Sequence, residues 1–166
     1  MFDKIHEQVK AAADAADLRP DVIAAIVLQE SQGDPWAVRV EDGFYNRYII
    51  ALTRLTLPGW KPKQGELPTV LTEKRVRSIS WGLMQILGET AREQGFKGRY
   101  MSELLIPATN LQWGIKYFKH LYEQEHDLKR ALLRYNGGGN KFYPAEVLGR
   151  IENGQVARYL AGEKIH

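Results

Sequence analysis

Val22-Ile23-Ala24-Ala25-Ile26-Val27-Leu28-Gln29-Glu30-Ser31 is the stretch on which the reading of this chain turns. Seven consecutive apolar residues end in three polar ones. At 3.6 residues per turn, Ile23, Ile26, Val27 and Glu30 fall on one helical face. Three aliphatics and a carboxylate therefore share the side to be buried. Gly33 and Pro35 stop the helix just beyond. A carboxyl group placed there loses water on its core side and faces a loop on the other. Such desolvation raises a pKa, as a general acid working near neutrality requires. The bland reading of the same pattern is a surface glutamate on a slightly rotated helix, and the pattern alone does not favour the acid.

The 166 residues around this stretch suggest one domain, residues 1–166, with length enough for a real core. Apolar residues at 44% and charged residues at 26% are ordinary for a globular chain. The longest apolar runs, Val22–Leu28 and Tyr48–Leu52, fall well short of the roughly 18 residues of a membrane span. Met1 to Glu7 lacks the charged-then-apolar plan of a secretory signal, so the expectation is delivery by some other route, or a signal already removed. No cysteine is present, which excludes disulfides, thiol nucleophiles and thiolate metal sites. A net charge of +3 and a pI near 9.1 suit an anionic polymer partner: nucleic acid, membrane surface or bacterial cell wall. A monomer is expected.

Outward from the central run, residues 3–16 read as an alanine-rich helix, and Pro20 opens the helix that carries Glu30. Asp34 to Arg39 reads as extended. Residues 42–77 are the least regular part: Phe44, Tyr45, Tyr48, Ile49 and Leu52 fit a short amphipathic helix, and Pro58 to Gly65 fits a loop suited to a lid or sugar contact. Ser78 to Gly88 reads as a tight bend with a short strand, and Glu89 to Gln94 as a helix closed by Gly95. Pro107 opens the longest helix, with Leu111, Ile115, Phe118 and Tyr122 as its core stripe. Asp127 caps the next, which ends at Tyr135 before Asn136-Gly137-Gly138-Gly139. Pro144 opens one more, and Val156 to Leu160 a last short one. The fold class is mainly α, with a small irregular or β element around residues 58–86.

Metal and cofactor chemistry find no support. His6, His120, His126 and His166 have no His-Glu-x-x-His spacing. A Gly-x-Ser-x-Gly elbow, a phosphate loop and a dinucleotide fingerprint are all missing. Acid–base chemistry on a carboxyl group is what is left, with no metal and no cofactor.

Three separated motifs then act together. Glu30-Ser31-Gln32-Gly33-Asp34-Pro35, Gly82-Leu83-Met84-Gln85-Ile86 and Tyr135-Asn136-Gly137-Gly138 stand in an order that resembles soluble lytic transglycosylases and goose-type lysozymes. Asn110 to Gly114 and Tyr117-Phe118 are similar to that family's long helix, and the resemblance spans about residues 18–140. It implies a lysozyme-like, mainly helical domain that cleaves the β-1,4 bond between N-acetylmuramic acid and N-acetylglucosamine in peptidoglycan glycan strands. Glu30 matches the family's catalytic acid, and Tyr135 the tyrosine that hydrogen-bonds near it. Gly82, Met84, Gln85 and Asn136 match cleft residues, with Ser31 and Ser80 as further substrate contacts. As a transglycosylase, Glu30 first donates a proton to the glycosidic oxygen. It then takes one from the muramic C6 hydroxyl, leaving a 1,6-anhydro end.

One departure matters. Glu30 and Gly82 stand 52 positions apart, whereas the family keeps these motifs close. The inserted segment 42–77 and its flank carry Glu41, Asp42, Glu66 and Glu73, any of which could be the second carboxylate of a hydrolytic, goose-type-like muramidase; Glu73 is the preferred candidate. A non-catalytic cell-wall-binding or virion module is an alternative of another class. A nucleic-acid binder, resting on Lys61, Lys63, Lys74, Arg75 and Arg77, is the most distant. By analogy the chain resembles phage or endolysin-type and secretion-associated enzymes that reach the periplasmic wall through a holin, a virion or an injection apparatus.

Overall fold

The computed structural model describes residues 4–50 and 65–165. α1 (Ile5–Ala15) leads into α2 (Pro20–Ser31), whose Pro20 occupies the first turn, where its missing N–H costs nothing. Val22 to Leu28 are buried without exception, on every side of the helix. The sequence expectation of one buried face is therefore too narrow. α2 is packed between α1, α8 (Tyr143–Glu152) and α9 (Gln155–Leu160), and a helix apolar all round is one surrounded by protein. Gln32 and Gly33, both at positive φ, end α2.

A three-stranded antiparallel sheet follows, in the order β1 (Val38–Val40), β2 (Ile79–Trp81), β3 (Ile86–Leu87). It starts earlier than the expected 58–86 element, because β1 lies before the inserted segment and pairs across it. The register sets Arg39 opposite Ser80 and Ser80 opposite Leu87, so these three form one row across the sheet. Between β1 and β2, α3 (Asp42–Phe44) runs into a π-helical turn (Tyr45–Ile49), and α4 (Val70–Arg77) leads back to the sheet. The loop expected at Pro58 to Gly65, and with it Lys61 and Lys63, lies almost wholly outside the described residues.

α5 (Gly88–Glu93) and a 3₁₀ turn (Met101–Leu105) precede α6 (Pro107–Glu125) and α7 (Leu128–Tyr135). The Asp127 side chain accepts the Arg130 N–H at 2.8 Å, as an N-cap should. One apolar core gathers around α2 and includes Leu83, Met84, Leu111, Phe118, Leu132 and Tyr143. A second, with Trp81, Ile86, Ala91, Phe96, Met101 and Leu104, lies under the sheet. No helix among the described residues is long and apolar enough to cross a membrane.

Candidate active site

The Gly82–Gln85 turn is built first, since it joins the two cores. Gly82 has φ +63°, and a Cβ there would lie 2.5 Å from Asn110 Nδ2 and 2.8 Å from the Leu104 carbonyl. Asn110, fully buried on α6, makes use of that closeness. Its Nδ2 donates to the carbonyls of Trp81 (2.7 Å) and Leu104 (2.8 Å), and its Oδ1 accepts the Met84 N–H at 2.8 Å. Met84 packs on Gly114, where a Cβ would come within 2.6 Å of the thioether sulfur. Gln85, at φ +45°, donates from Nε2 to the carbonyls of Ala37 and Gly82, both at 3.0 Å.

α2 is bolted to this turn by Ser31. Its buried hydroxyl is shared between the Val27 carbonyl at 3.1 Å and the Leu83 carbonyl at 2.8 Å. Glu30, one residue earlier, therefore has a fixed backbone. Its carboxyl opens on a cleft of about 400 Å³ lined also by Arg39, Glu41, Ser80, Gln85, Tyr135 and Asn136. The row Arg39–Ser80–Leu87, with Ile86 beside it, supplies the sheet's contribution.

Tyr143, at the start of α8, donates its hydroxyl to Glu30 Oε1 at 2.5 Å. Burial raises the Glu30 pKa. The Tyr143 hydrogen bond and the Arg39 charge pull it back in part, and Glu41 adds to the rise. The Tyr143 phenol is itself raised, chiefly by burial and then by the neighbouring Glu30 charge. A carboxyl group so placed keeps its proton to higher pH than an exposed glutamate and can give it to a substrate in the cleft.

The expected site residues divide under this geometry. Glu30, Ser80, Gln85, Tyr135 and Asn136 meet in the cleft. Tyr135 does not hold Glu30: its hydroxyl donates to the Met84 carbonyl at 2.7 Å, and burial, then the Glu30 charge, keep its pKa well up. Gly82, Met84 and Ser31 do not line the cleft but build the backbone beneath it, because packing on Asn110, Gly114 and Leu83 uses their surfaces.

Glu73 is displaced from the expectation altogether. It is fully buried, with Oε1 accepting from Arg77 Nε at 2.9 Å and Arg92 Nε at 2.8 Å. Arg77 also pairs with Glu89 at 3.2 Å, so two guanidinium and two carboxylate groups make a neutral cluster between α4 and α5. The fixed i,i+4 spacing of Glu73 and Arg77 draws this carboxylate inward, away from the cleft. Burial of Arg77 likewise removes it from any nucleic-acid face.

The carboxylate that does stand on the cleft with Glu30 is Glu41. Its Oε1 accepts from Ser80 Oγ at 2.9 Å and from Arg39 Nε at 2.6 Å. Tyr143 belongs to none of the sequence motifs. Its signal is the spacing Tyr143, Val147, Ile151, which sets the phenol on the core stripe of a helix that starts one residue before Pro144. A larger depression of about 560 Å³ between α1 and α6 is lined mainly by alanines, Leu111 and Ile115, with no carboxylate.

Comparison with curated proteins and with solved structures finds no match to the chain. A family model described as the transglycosylase SLT domain matches residues 7–146, from α1 to the first turn of α8, and so spans Glu30, the Gly82–Gln85 turn, Tyr135 and Tyr143. The chain belongs to the transglycosylase SLT domain family, the lytic transglycosylases that act on peptidoglycan.

Proposed function

We propose that this lytic transglycosylase cleaves the β-1,4 bond between N-acetylmuramic acid and N-acetylglucosamine with Glu30 as acid and then base, forming a 1,6-anhydro-muramic end. The observation that carries the reading is Glu30 itself: a carboxyl group raised in pKa by burial, open to the cleft, with Oε1 held by Tyr143. Oε2 is then the oxygen available to the substrate.

Protonated Glu30 gives its proton to the glycosidic oxygen as the bond to the muramic C1 breaks through an oxocarbenium-like state. The carboxylate left behind takes the proton of the C6 hydroxyl, and that oxygen closes onto C1. One C–O bond is broken and one formed, Glu30 ends as it began, and no water is consumed. Ser80, Gln85, Tyr135 and Asn136 provide polar contacts along the strand. The same proposal places the site of action at the bacterial cell wall, in the periplasm, reached through a phage holin, a virion or a secretion apparatus.

Digestion of purified sacculi with mass analysis of the products is the test. Anhydro ends weigh one water less than reducing ends. Glu30→Gln, folded by circular dichroism, is expected to release almost nothing; unchanged lysis by that variant would remove Glu30 from the mechanism.

A second reading, hydrolysis by a muramidase, is favoured by one observation. Glu41, bonded to Arg39 and Ser80, shares the cleft and its charge acts on Glu30. A carboxylate so placed can hold an attacking water. On that reading wild-type products end in reducing sugars, and Glu41→Gln loses them.

A further inference from the structure

The segment between Glu41 and Ile50 contributes more to the cleft than charge. We propose that Phe44 and Tyr48 form an aromatic platform for a further sugar unit of the glycan strand, beyond the bond that Glu30 addresses. The proposal rests on the reading of the cleft as a glycan site.

Both rings line the cleft that holds Glu30. They stand four residues apart, one helical turn, with centroids 5.0 Å apart and planes inclined at 44°. The next pair along the same segment points the other way. Ile49 is buried, and the Tyr45 ring lies 5.1 Å from the Arg75 guanidinium of α4. Tyr45 and Ile49 therefore anchor the segment to the protein, while Phe44 and Tyr48, each one position earlier, are turned to the cleft. The turn that does this is π-helical, closed by the Ile50 N–H on the Tyr45 carbonyl at 3.0 Å. Its wider winding shifts the helical faces, a feature concentrated at functional sites.

Tyr48 remains 53% exposed although it is a large ring with an apolar face. Arg47 lies over that ring only at 5.9 Å, near the limit of cation–π contact. Inclined at 44°, the two rings are not stacked in parallel, and each keeps ring surface on the cleft. A pyranose matches such a surface. Its axial C–H groups meet the negative face of a ring, and its hydroxyl edge meets polar groups, which Arg39, Glu41 and Asn136 supply in the same cleft. Position also fits. Glu41 is near enough for its charge to act on Glu30, and Tyr48 lies nearly two helical turns further along the chain.

The test is isothermal titration of N-acetylglucosamine oligomers, from disaccharide to hexasaccharide, into full-length Glu30→Gln protein with and without the added pair Phe44→Ala and Tyr48→Ala. With the rings present, affinity should climb with oligomer length. Without them the longest oligomer should bind roughly tenfold more weakly, and the shortest unchanged. A second pair, Phe44→Tyr and Tyr48→Phe, keeps both ring faces and should retain the gain with length. Equal weakening at every length, no weakening, or no binding of any oligomer overturns the platform. Lysis of sacculi by the Glu30→Gln protein, read separately, overturns the acid assignment instead.

Discussion

The Tyr143 hydroxyl and Glu30 Oε1 lie 2.5 Å apart, joining the start of α8 to the last turn of α2 across 113 residues. The donor favours the charged form of the carboxyl group, whereas burial opposes it, and burial prevails. Tyr143→Phe removes the donor alone. The Glu30 pKa then moves still higher, so the alkaline limb of the pH–rate profile, which reports loss of the acid's proton, should shift upward. The rate at the optimum should fall roughly tenfold, the worth of one hydrogen bond to a charged group. A profile that stays in place would mean that Tyr143 only packs.

The raised Glu30 pKa also has a consequence for stability. Since the folded pKa lies above the unfolded one, folding takes up a proton between them. Stability is therefore full below the unfolded value and declines as pH rises through the folded one. Glu30→Gln escapes that decline. It should melt higher than wild type at pH 7, with the gap closing near pH 4, while activity drops by about 10²–10⁴-fold. Melting curves at the two pH values check the sign.

Glu73→Gln separates a structural carboxylate from a catalytic one. Removing one charge from the cluster with Arg77, Arg92 and Glu89 leaves a buried guanidinium short of its partner. A loss of about 3–5 kcal/mol in urea unfolding is expected. Turnover per folded molecule, measured at a temperature where the variant is folded, should stay within about twofold of wild type. A collapse in turnover without a loss of stability would return Glu73 to the mechanism.

Two glycines at positive φ should respond differently to alanine. At Gly137 a Cβ meets nothing within 4 Å, so the backbone conformation alone opposes it, at about 1–2 kcal/mol. At Gly82 the same methyl group also drives Asn110 from its carbonyl partners, which should raise the cost by a further 1–3 kcal/mol or so. Chemical unfolding of the two variants side by side measures the difference.

Local signals were readable along the chain wherever the cause is local. Pro20, Pro107 and Asp127 mark helix starts because capping is settled within one turn. β1 is readable only as the end of the extended stretch from Asp34, since Val38, Arg39 and Val40 become a strand by pairing with Trp81, Ser80 and Ile79 some 40 positions on. The same division holds in the cleft. Glu30 was legible from its apolar run and the motifs downstream. Which tyrosine reaches it was not, because Tyr135 and Tyr143 both end on the core side and long-range packing alone selects between them. Glu73 misleads for a related reason: nearness in sequence to the Gly82 turn says little about facing, whereas Arg77 four residues on is the informative neighbour.

Asn110 grips three backbone groups, at Trp81, Met84 and Leu104, and leaves no room for a side chain at Gly82. The cleft around Glu30 is thus portable only together with the helix behind it. Grafting Glu30, Ser80, Gln85 and Tyr135 onto another helical scaffold would transfer the visible chemistry without its mould, and a graft that also carried Asn110 and Gly114 would bring both.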